Sequence, residues 1–338
     1  MSSIVFGAKI VIVVIDILKH LWYNIVKIFP EVHIYGVNMK KILTKRSCKK
    51  TALLSLFLAL LIFLIIACDF RLAVRYYEVE AEYISSPVRI ALVTDLHSCY
   101  YGKEQKNLVE AIEEQDPDII LLGGDIFDDD INDTNTEIFL SEIEGKYPTY
   151  YVTGNHEYWS GTSNFSAKMD ILEKYGVIIL NNEYKIIEIR GQYINLCGVD
   201  DPDAYMFSQG KEKNSDEYLD GKAETEHNFV SNLTKVGKVQ DSGYFTVLLS
   251  HRPEYFEEYA ARGFDLVLCG HAHGGQWRIP YILNGLYAPD QGLFPKYAGG
   301  RYDKDNTSMI VSRGLARETT LPIPRIFNRP ELVIIDIV

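Results

Sequence analysis

The chain has 338 residues, 47% of them apolar and 24% charged, which excludes a disordered or collagen-like polymer. Five cysteines in that length exclude a disulfide-stapled scaffold. A net charge of −12 argues against a protein that holds nucleic acid through a basic surface. The charge is unevenly spread, since residues 1–69 carry nine Lys/Arg and three Asp/Glu, whereas the remainder carries 25 basic and 43 acidic side chains. One large acidic domain with a basic, apolar amino-terminal appendage is expected.

The first predicted element of consequence is residues 51–68 (TALLSLFLALLIFLIIAC), an uncharged run. As a helix it would extend about 27 Å, enough for a bilayer core, so it is predicted to be a transmembrane segment. Lys40, Lys41, Lys45, Arg46, Lys49 and Lys50 stand just before it. That cluster predicts a cytoplasmic segment over 1–50 and sends the following residues outward. A second reading takes Met39 as the start of a signal-type segment ending at Ile65-Ile66-Ala67-Cys68, with a lipidated Cys68. Both readings place the large domain at the outer face of the cell membrane, single-pass or lipid-anchored. The earlier apolar run at 10–15 is flanked by Lys9 and Asp16 and is too short to span.

Beyond the appendage, strand-length apolar runs alternate with amphipathic stretches. Residues 88–94 (VRIALVT) read as a buried strand, 103–115 as a helix, 119–122 as a strand, 136–145 as a helix and 149–153 as a strand. A helix is predicted over 165–175, stopped by Gly176. Residues 184–190 and 192–199 then form a strand pair around Gly191. A polar stretch over 208–243 reads as a solvent-exposed insertion with a helical middle. Next come a strand at 245–250, a helix opened by Pro253, a strand at 265–269, a turn-rich region over 280–330 and a last strand at 331–337. Such alternation predicts an α/β fold with mixed sheets covered by helices.

Five of the eight histidines stand where predicted strands end: His97, His156, His251, His271 and His273. Loops at the carboxyl ends of strands gather side chains into one crevice. Asp95 and His97 alternate at one such end, as do His271 and His273, so each pair can point at one centre. Imidazole and carboxylate donors without thiolates suit Mn, Fe, Zn or Co. Glycines before Asp125, Asn155 and His271 allow a sharp turn and close approach to a ligand.

Asp95-Leu96-His97, Gly124-Asp125, Gly154-Asn155-His156-Glu157, His251 and Gly270-His271-Ala272-His273 together resemble the calcineurin-like metallophosphoesterase superfamily. Gly274-Gly275-Gln276, Ser312-Arg313-Gly314 and Arg329-Pro330-Glu331 are similar to its membrane-associated branch, which includes phosphodiesterases like UDP-2,3-diacylglucosamine pyrophosphohydrolases. The resemblance covers about 75–338 and implies a four-layer α/β/β/α sandwich of two mixed sheets with two divalent metal ions on one rim. It implies that Asp95, His97 and His273 hold one metal, Asn155, His251 and His271 the other, and that Asp125 bridges them. His156 is then the catalytic residue that protonates the leaving group. A hydroxide shared by the metals would attack phosphorus.

Arg252, Arg278 and Arg313 lie near motif positions, and Arg252 and Arg313 are candidates to grip a phosphate. Glu157 either orients an imidazole or caps a helix. Cys99 and Cys269 read as small core residues, and residues 128–130 as a solvated acidic loop. Tyr100, Tyr101, Tyr158, Trp159, Tyr281 and Tyr287 flank the motifs and suit either an apolar wall or ordinary packing. The expected function is hydrolysis of a lipid-linked or envelope phosphodiester or pyrophosphate. A phosphomonoesterase and a non-catalytic scaffold of the same fold are the alternatives. A nuclease is disfavoured by the acidic balance and the apolar segment, so no nucleic-acid partner is expected.

Overall fold

A computed structural model describes residues 46–81, 84–211, 215, 220–317 and 324–338; the side chains of 46–52 and 241 lie outside the description. Residues 1–45 of the cytoplasmic segment expected over 1–50, with the Met39 start, fall outside the described residues. The chain divides into two units, Met1–Ile62 and Phe63–Val338.

Helix α1 covers Arg46–Ala67. Its Leu- and Ala-rich composition favours a helix without tertiary help. The large apolar side chains from Leu53 to Ile66 are exposed. The transmembrane segment expected over 51–68 is not met here: among the described residues no helix is long and apolar enough to cross a membrane.

The second unit is built on two mixed six-stranded sheets. In the first, β2 (Val88–Val93), β3 (Ile119–Gly123), β4 (Thr149–Val152) and β5 (Ile178–Ile179) run parallel. On the other side of β2 lies β14 (Glu331–Ile337), antiparallel to it, and then β1 (Ala73–Val79), parallel to β14. The second sheet holds the hairpin β6 (Glu183–Ile189) and β7 (Gln192–Gly198), followed by β8 (Thr246–Leu249), β9 (Leu266–Cys269) and β13 (Thr307–Val311) in parallel. Strand β12 (Gly300–Lys304) closes its edge antiparallel to β13.

Alternation along each strand sorts side chains into different cores. Ile90 and Leu92 of β2, Leu121 of β3 and Val152 of β4 meet Leu196, Leu249 and Leu268 of the second sheet. Ala91, Val93, Ile120 and Leu122 turn the other way, onto α2 (Lys106–Glu113), α3 (Thr134–Ile143) and Leu172 of α5 (Thr162–Lys174). The outer face of the second sheet packs likewise on α7 (Lys222–Val236) and α8 (Phe256–Ala260). The order is helices, sheet, sheet, helices. Both sheets are buried on two faces, which is why their strands read as continuous apolar runs.

Three features differ from the sequence reading. The polar stretch over 208–243 is not only solvated, because α7 buries Phe229, Leu233 and Val236 against the second sheet. The helix expected over 103–115 is broken at its start, where Glu104 and Gln105 take left-handed φ of 58° and 52°. The turn-rich 280–330 region contains β13, a fully buried strand between β9 and β12.

Candidate metal centre

The carboxyl ends of β2, β3 and β4 in one sheet, and of β8 and β9 in the other, deliver the motif residues. Helix α4 (Asn155–Trp159) begins directly after β4 and carries Asn155 and His156. The backbone there is unusual. Asp95, His97, Asp125, His271 and His273 all adopt left-handed φ, between 46° and 64°. Non-glycine residues rarely sit there, and such strain clusters at functional sites because surrounding structure must hold it. Gly124, at φ 88°, has no room for a side chain, since a Cβ would come within 2.5 Å of His251 Nδ1.

Four groups of donors result among the described residues: His97, Asp128 and His156 form one, Glu254, His271 and Asp290 another, and the other two share one residue. Asp95, His97, Asp125 and His273 each offer a ligand atom within 4.8 Å of the others, and so do Asp125, His251 and His271. Asp125 belongs to both. Its Oδ2 lies 3.0 Å from His251 Nε2 and 3.7 Å from His97 Nε2. His271 Nδ1 is 3.2 Å from His251 Nε2, and His273 Nε2 is 3.5 Å from Asp95 Oδ1. All these residues are buried, as is Asn155. Asp95 Oδ2, His97 Nε2 and Asn155 Oδ1 have no hydrogen-bond partner in the protein. Buried polar atoms without partners are costly, and three of them among imidazoles and carboxylates fit a site for divalent cations.

Residues further out orient these groups. Asp128 accepts from His97 Nδ1 at 2.9 Å, and Asp129 from His156 Nδ1 at 2.5 Å. The acidic loop at 128–130 is therefore not simply solvated: Asp128 is buried behind His97. Glu157 touches no imidazole. Its carboxylate accepts the backbone N–H groups of Asp125, Ile126, Phe127 and Gly154, which ties the Asp125 turn to the start of α4. His251 Nδ1 faces the Gly123 carbonyl at 2.8 Å.

Charge follows this arrangement. Burial works against ionisation of Asp125, but His251, His156 and His97 hold its carboxyl well below the usual range. Burial also opposes a charged His156, and Asp125, Asp129 and Asp128 outweigh it to raise that imidazole. His251 is pushed to about 10 by Asp125 against its own desolvation. His273 is driven well below its ordinary value by burial and by His97.

Arg252 is buried in a carboxylate network. Its Nε and Nη2 donate to Asp201 at 2.5 and 2.9 Å, and Nη1 donates to Asp290. Asp290 also lies 3.1 Å from His271 Nε2. Arg313 pairs with Glu331 at 3.2 Å. Both arginines expected to grip a phosphate are thus engaged by carboxylates of the chain itself. Arg278 bonds the Gly274 carbonyl and Asn284. Cys99 and Cys269 are buried core residues. Trp159 stands beside the His156 ring, with centroids 4.7 Å apart, and Tyr158 stacks on Phe165. Tyr101 is buried, whereas Tyr100 and Tyr281 are exposed. Sequence reasoning missed the roles of Asp128, Asp129, Asp201 and Asp290; only the run of acidic residues after Asp125 offered a signal.

Residues 88–275, which carry His156 and the seven candidate metal ligands, match the family described as calcineurin-like phosphoesterase. The chain belongs to that family. It is 30% identical over 236 residues to an uncharacterized metallophosphoesterase of Helicobacter pylori, covering 68% of this chain and 55% of that protein. The chain thus spans about half the length of that relative. It is 28% identical over 260 residues to the phosphodiesterase YaeI of Escherichia coli, covering 75% of this chain and 83% of YaeI. A bovine transmembrane protein with a metallophosphoesterase domain is 28% identical over 244 residues, covering 68% of this chain and 48% of that protein.

Proposed function

We propose that this calcineurin-like phosphoesterase is a two-metal phosphodiesterase acting on a lipid-linked or envelope phosphodiester or pyrophosphate at a membrane surface. The observation that carries the reading is Asp125, one buried carboxylate common to two donor clusters that leave three polar atoms without protein partners. Asp95, His97, Asp125 and His273 would hold one divalent cation, and Asp125, Asn155, His251 and His271 the second. The donors suit Mn, Fe, Zn or Co. When bound, the cation pair supplies Lewis acidity and positive charge for the phosphoryl group.

The chain's own groups do the rest. His156 is the proton carrier. Its Nδ1 faces Asp129, and the surrounding carboxylates raise the ring against its burial, which favours the form whose Nε2 can protonate the departing oxygen. Trp159 packs against that ring and limits its rotation. Asn155 contributes a neutral amide oxygen, which leaves more positive charge at the site than a further carboxylate would.

Two findings support the membrane part of the reading: the exposed apolar surface of α1, and the likeness to a bovine transmembrane protein. The basic cluster before residue 51 favours an extracytoplasmic catalytic unit, with α1 or a lipidated Cys68 as the anchor.

The purified full chain, supplied in turn with Mn²⁺, Zn²⁺ and Mg²⁺, should be assayed on bis-p-nitrophenyl phosphate and p-nitrophenyl phosphate. Preference for the diester supports the proposal. Turnover of the monoester alone makes the protein a phosphomonoesterase, and no turnover with any metal favours the scaffold.

A further inference from the structure

Several large apolar side chains outside α1 face solvent close to the metal centre. They lie on the segment that follows the metal-cluster residue His273. Trp277 and Ile279 are exposed, Ile282 is 82% exposed, and Leu293 and Phe294 follow at 67% and 68%. Hairpin β10–β11 (Tyr287–Ala288 and Gly292–Leu293) carries the last of these, and the Leu286 N–H anchors it to the Gly275 carbonyl. Most water-facing loops of soluble domains avoid such a run, and a contiguous exposed apolar patch marks an interaction surface.

The segment 326–328 joins this surface to two other features. Ile326 bridges Trp277, and the Arg278 N–H donates to its carbonyl. The Phe327 N–H donates to the carbonyl of Ala67, the last residue of α1, and its ring packs on Phe63 with centroids 5.2 Å apart. Asn328 Nδ2 donates to the carbonyls of His273 and Gln276. Three consecutive residues therefore tie the apolar end of α1, the exposed loop and a residue of the metal centre into one piece of backbone. Phe63, Leu64, Ile65, Ile66 and Phe70 extend the exposed apolar surface on the α1 side.

A polar collar sits under the helix end. Arg329 donates to the carbonyls of Arg71 and Leu72, and both Arg71 and Arg329 approach Asp69. Two guanidinium groups against one carboxylate leave this collar cationic. An apolar surface with Trp at its border and arginines beside it is the pattern that settles at a bilayer interface, rings and aliphatic chains among the acyl tails and cations among the phosphates.

We propose that residues 277–282 and 293–294, together with the end of α1, form one face that seats on a lipid bilayer and holds the mouth of the metal centre at headgroup level. Interfacial seating requires no helix that crosses the membrane. The inference rests on the membrane part of the proposed function and deepens it. Loop and anchor make separate contacts, so the two can fail separately.

The test uses the full chain with Cys48 and Cys68 replaced by serine and single cysteines introduced by Leu58→Cys, Ile282→Cys or Tyr193→Cys. Each is labelled with an environment-sensitive fluorophore and reconstituted in phosphatidylcholine–phosphatidylglycerol vesicles, with or without brominated acyl chains. Tyr193, on the β6–β7 hairpin of the second sheet, is the water-exposed control. The expected result is blue-shifted emission and loss of fluorescence to brominated chains at positions 58 and 282 but not at 193. Quenching at 58 with none at 282 overturns the seating face and leaves the anchor standing. Quenching at neither position removes both. A label at 282 that is shielded without lipid, and increasingly so at higher protein concentration, assigns the face to a second copy and overturns the proposal. As an independent readout, the double variant Trp277→Ser/Ile282→Ser should lose turnover of a vesicle-embedded phosphodiester while keeping that of bis-p-nitrophenyl phosphate. Equal loss on both substrates counts against the seating face.

Discussion

The two halves of the metal centre are supported in different ways. Beside Asp95 and His273, the imidazoles of His97 and His156 are backed by carboxylates, Asp128 and Asp129. On the other half, His251 rests on the Gly123 carbonyl, and His271 faces Asp290 in a network organised by Arg252. A carboxylate behind an imidazole raises its basicity as well as fixing its orientation, whereas a carbonyl mainly fixes orientation. In the first half the carboxylates tune His156, the proposed proton carrier, whereas the second half, where Asp290 also backs His271, is locked in place by the buried Arg252. Asp125 is the one residue that both halves use.

The largest effect is expected at that shared residue. Asp125→Ala removes a ligand from both clusters and the negative charge that His251 and His156 lean on. Turnover should fall by more than the ~10²–10⁴-fold expected for loss of a general acid alone. Metal content measured on the same preparation should fall with it. Full metal occupancy in that variant breaks the view of Asp125 as the common element.

His156→Ala separates proton transfer from metal holding. The side chain lies against Asp129 and Trp159 and is not part of either cluster that contains Asp125. A ~10²–10⁴-fold loss of kcat with unchanged metal content is expected. Parallel loss of metal makes His156 a ligand and erases the distinction between the halves.

The rigid half is tested through stability. Arg252→Met leaves Asp201 buried without its cation, and removing one partner of a buried pair typically costs about 3–5 kcal/mol. Urea denaturation of the metal-free protein should register that loss. A variant as stable as the parent, with a raised KM for diester, makes Arg252 a substrate contact instead of a structural one.

The difference between the halves also marks how far the sequence was readable. Asp95, His97, Asp125, Asn155, His251, His271 and His273 stand at or just after the ends of apolar runs that form strands, so strand prediction and motif spacing brought them together. Supporting residues give no such signal. Asp128 and Asp129 reach imidazoles 31 and 27 residues away, and Asp201 meets Arg252 across 51 residues. Those pairings exist only once neighbouring strands of one sheet, β2, β3 and β4 or β7 and β8, lie side by side. Strand β13 was hidden for a related reason: five residues between turns carry too short a pattern, and its strand pairing comes from β9 and β12. Strand β1 (AVRYYEV) was hidden by its charged and half-exposed positions. The fate of Arg252 was equally invisible, because proximity to a motif in sequence says nothing of the carboxylates that arrive from elsewhere.

The smallest effect compares the two backing carboxylates within the tunable half. Asp128→Asn should weaken metal affinity through His97, by about 10–100-fold, as loss of a hydrogen-bond partner behind a ligand commonly does. Asp129→Asn should leave metal affinity unchanged and act on His156 instead. Asp125, Asp129 and Asp128 together raise the His156 imidazole against its burial, so neutralising Asp129 lowers it. His156 works as the protonated form, and activity is lost as pH rises through its pKa. The basic limb of the kcat profile should therefore move to lower pH in Asp129→Asn and by less in Asp128→Asn, whose carboxylate lies 3.6 Å from His156 Nδ1 and ranks below Asp129 in raising the ring. Metal titrations and pH profiles of the two variants measure these effects separately. Identical behaviour in both would show that the acidic loop serves the centre as an undivided patch of negative charge.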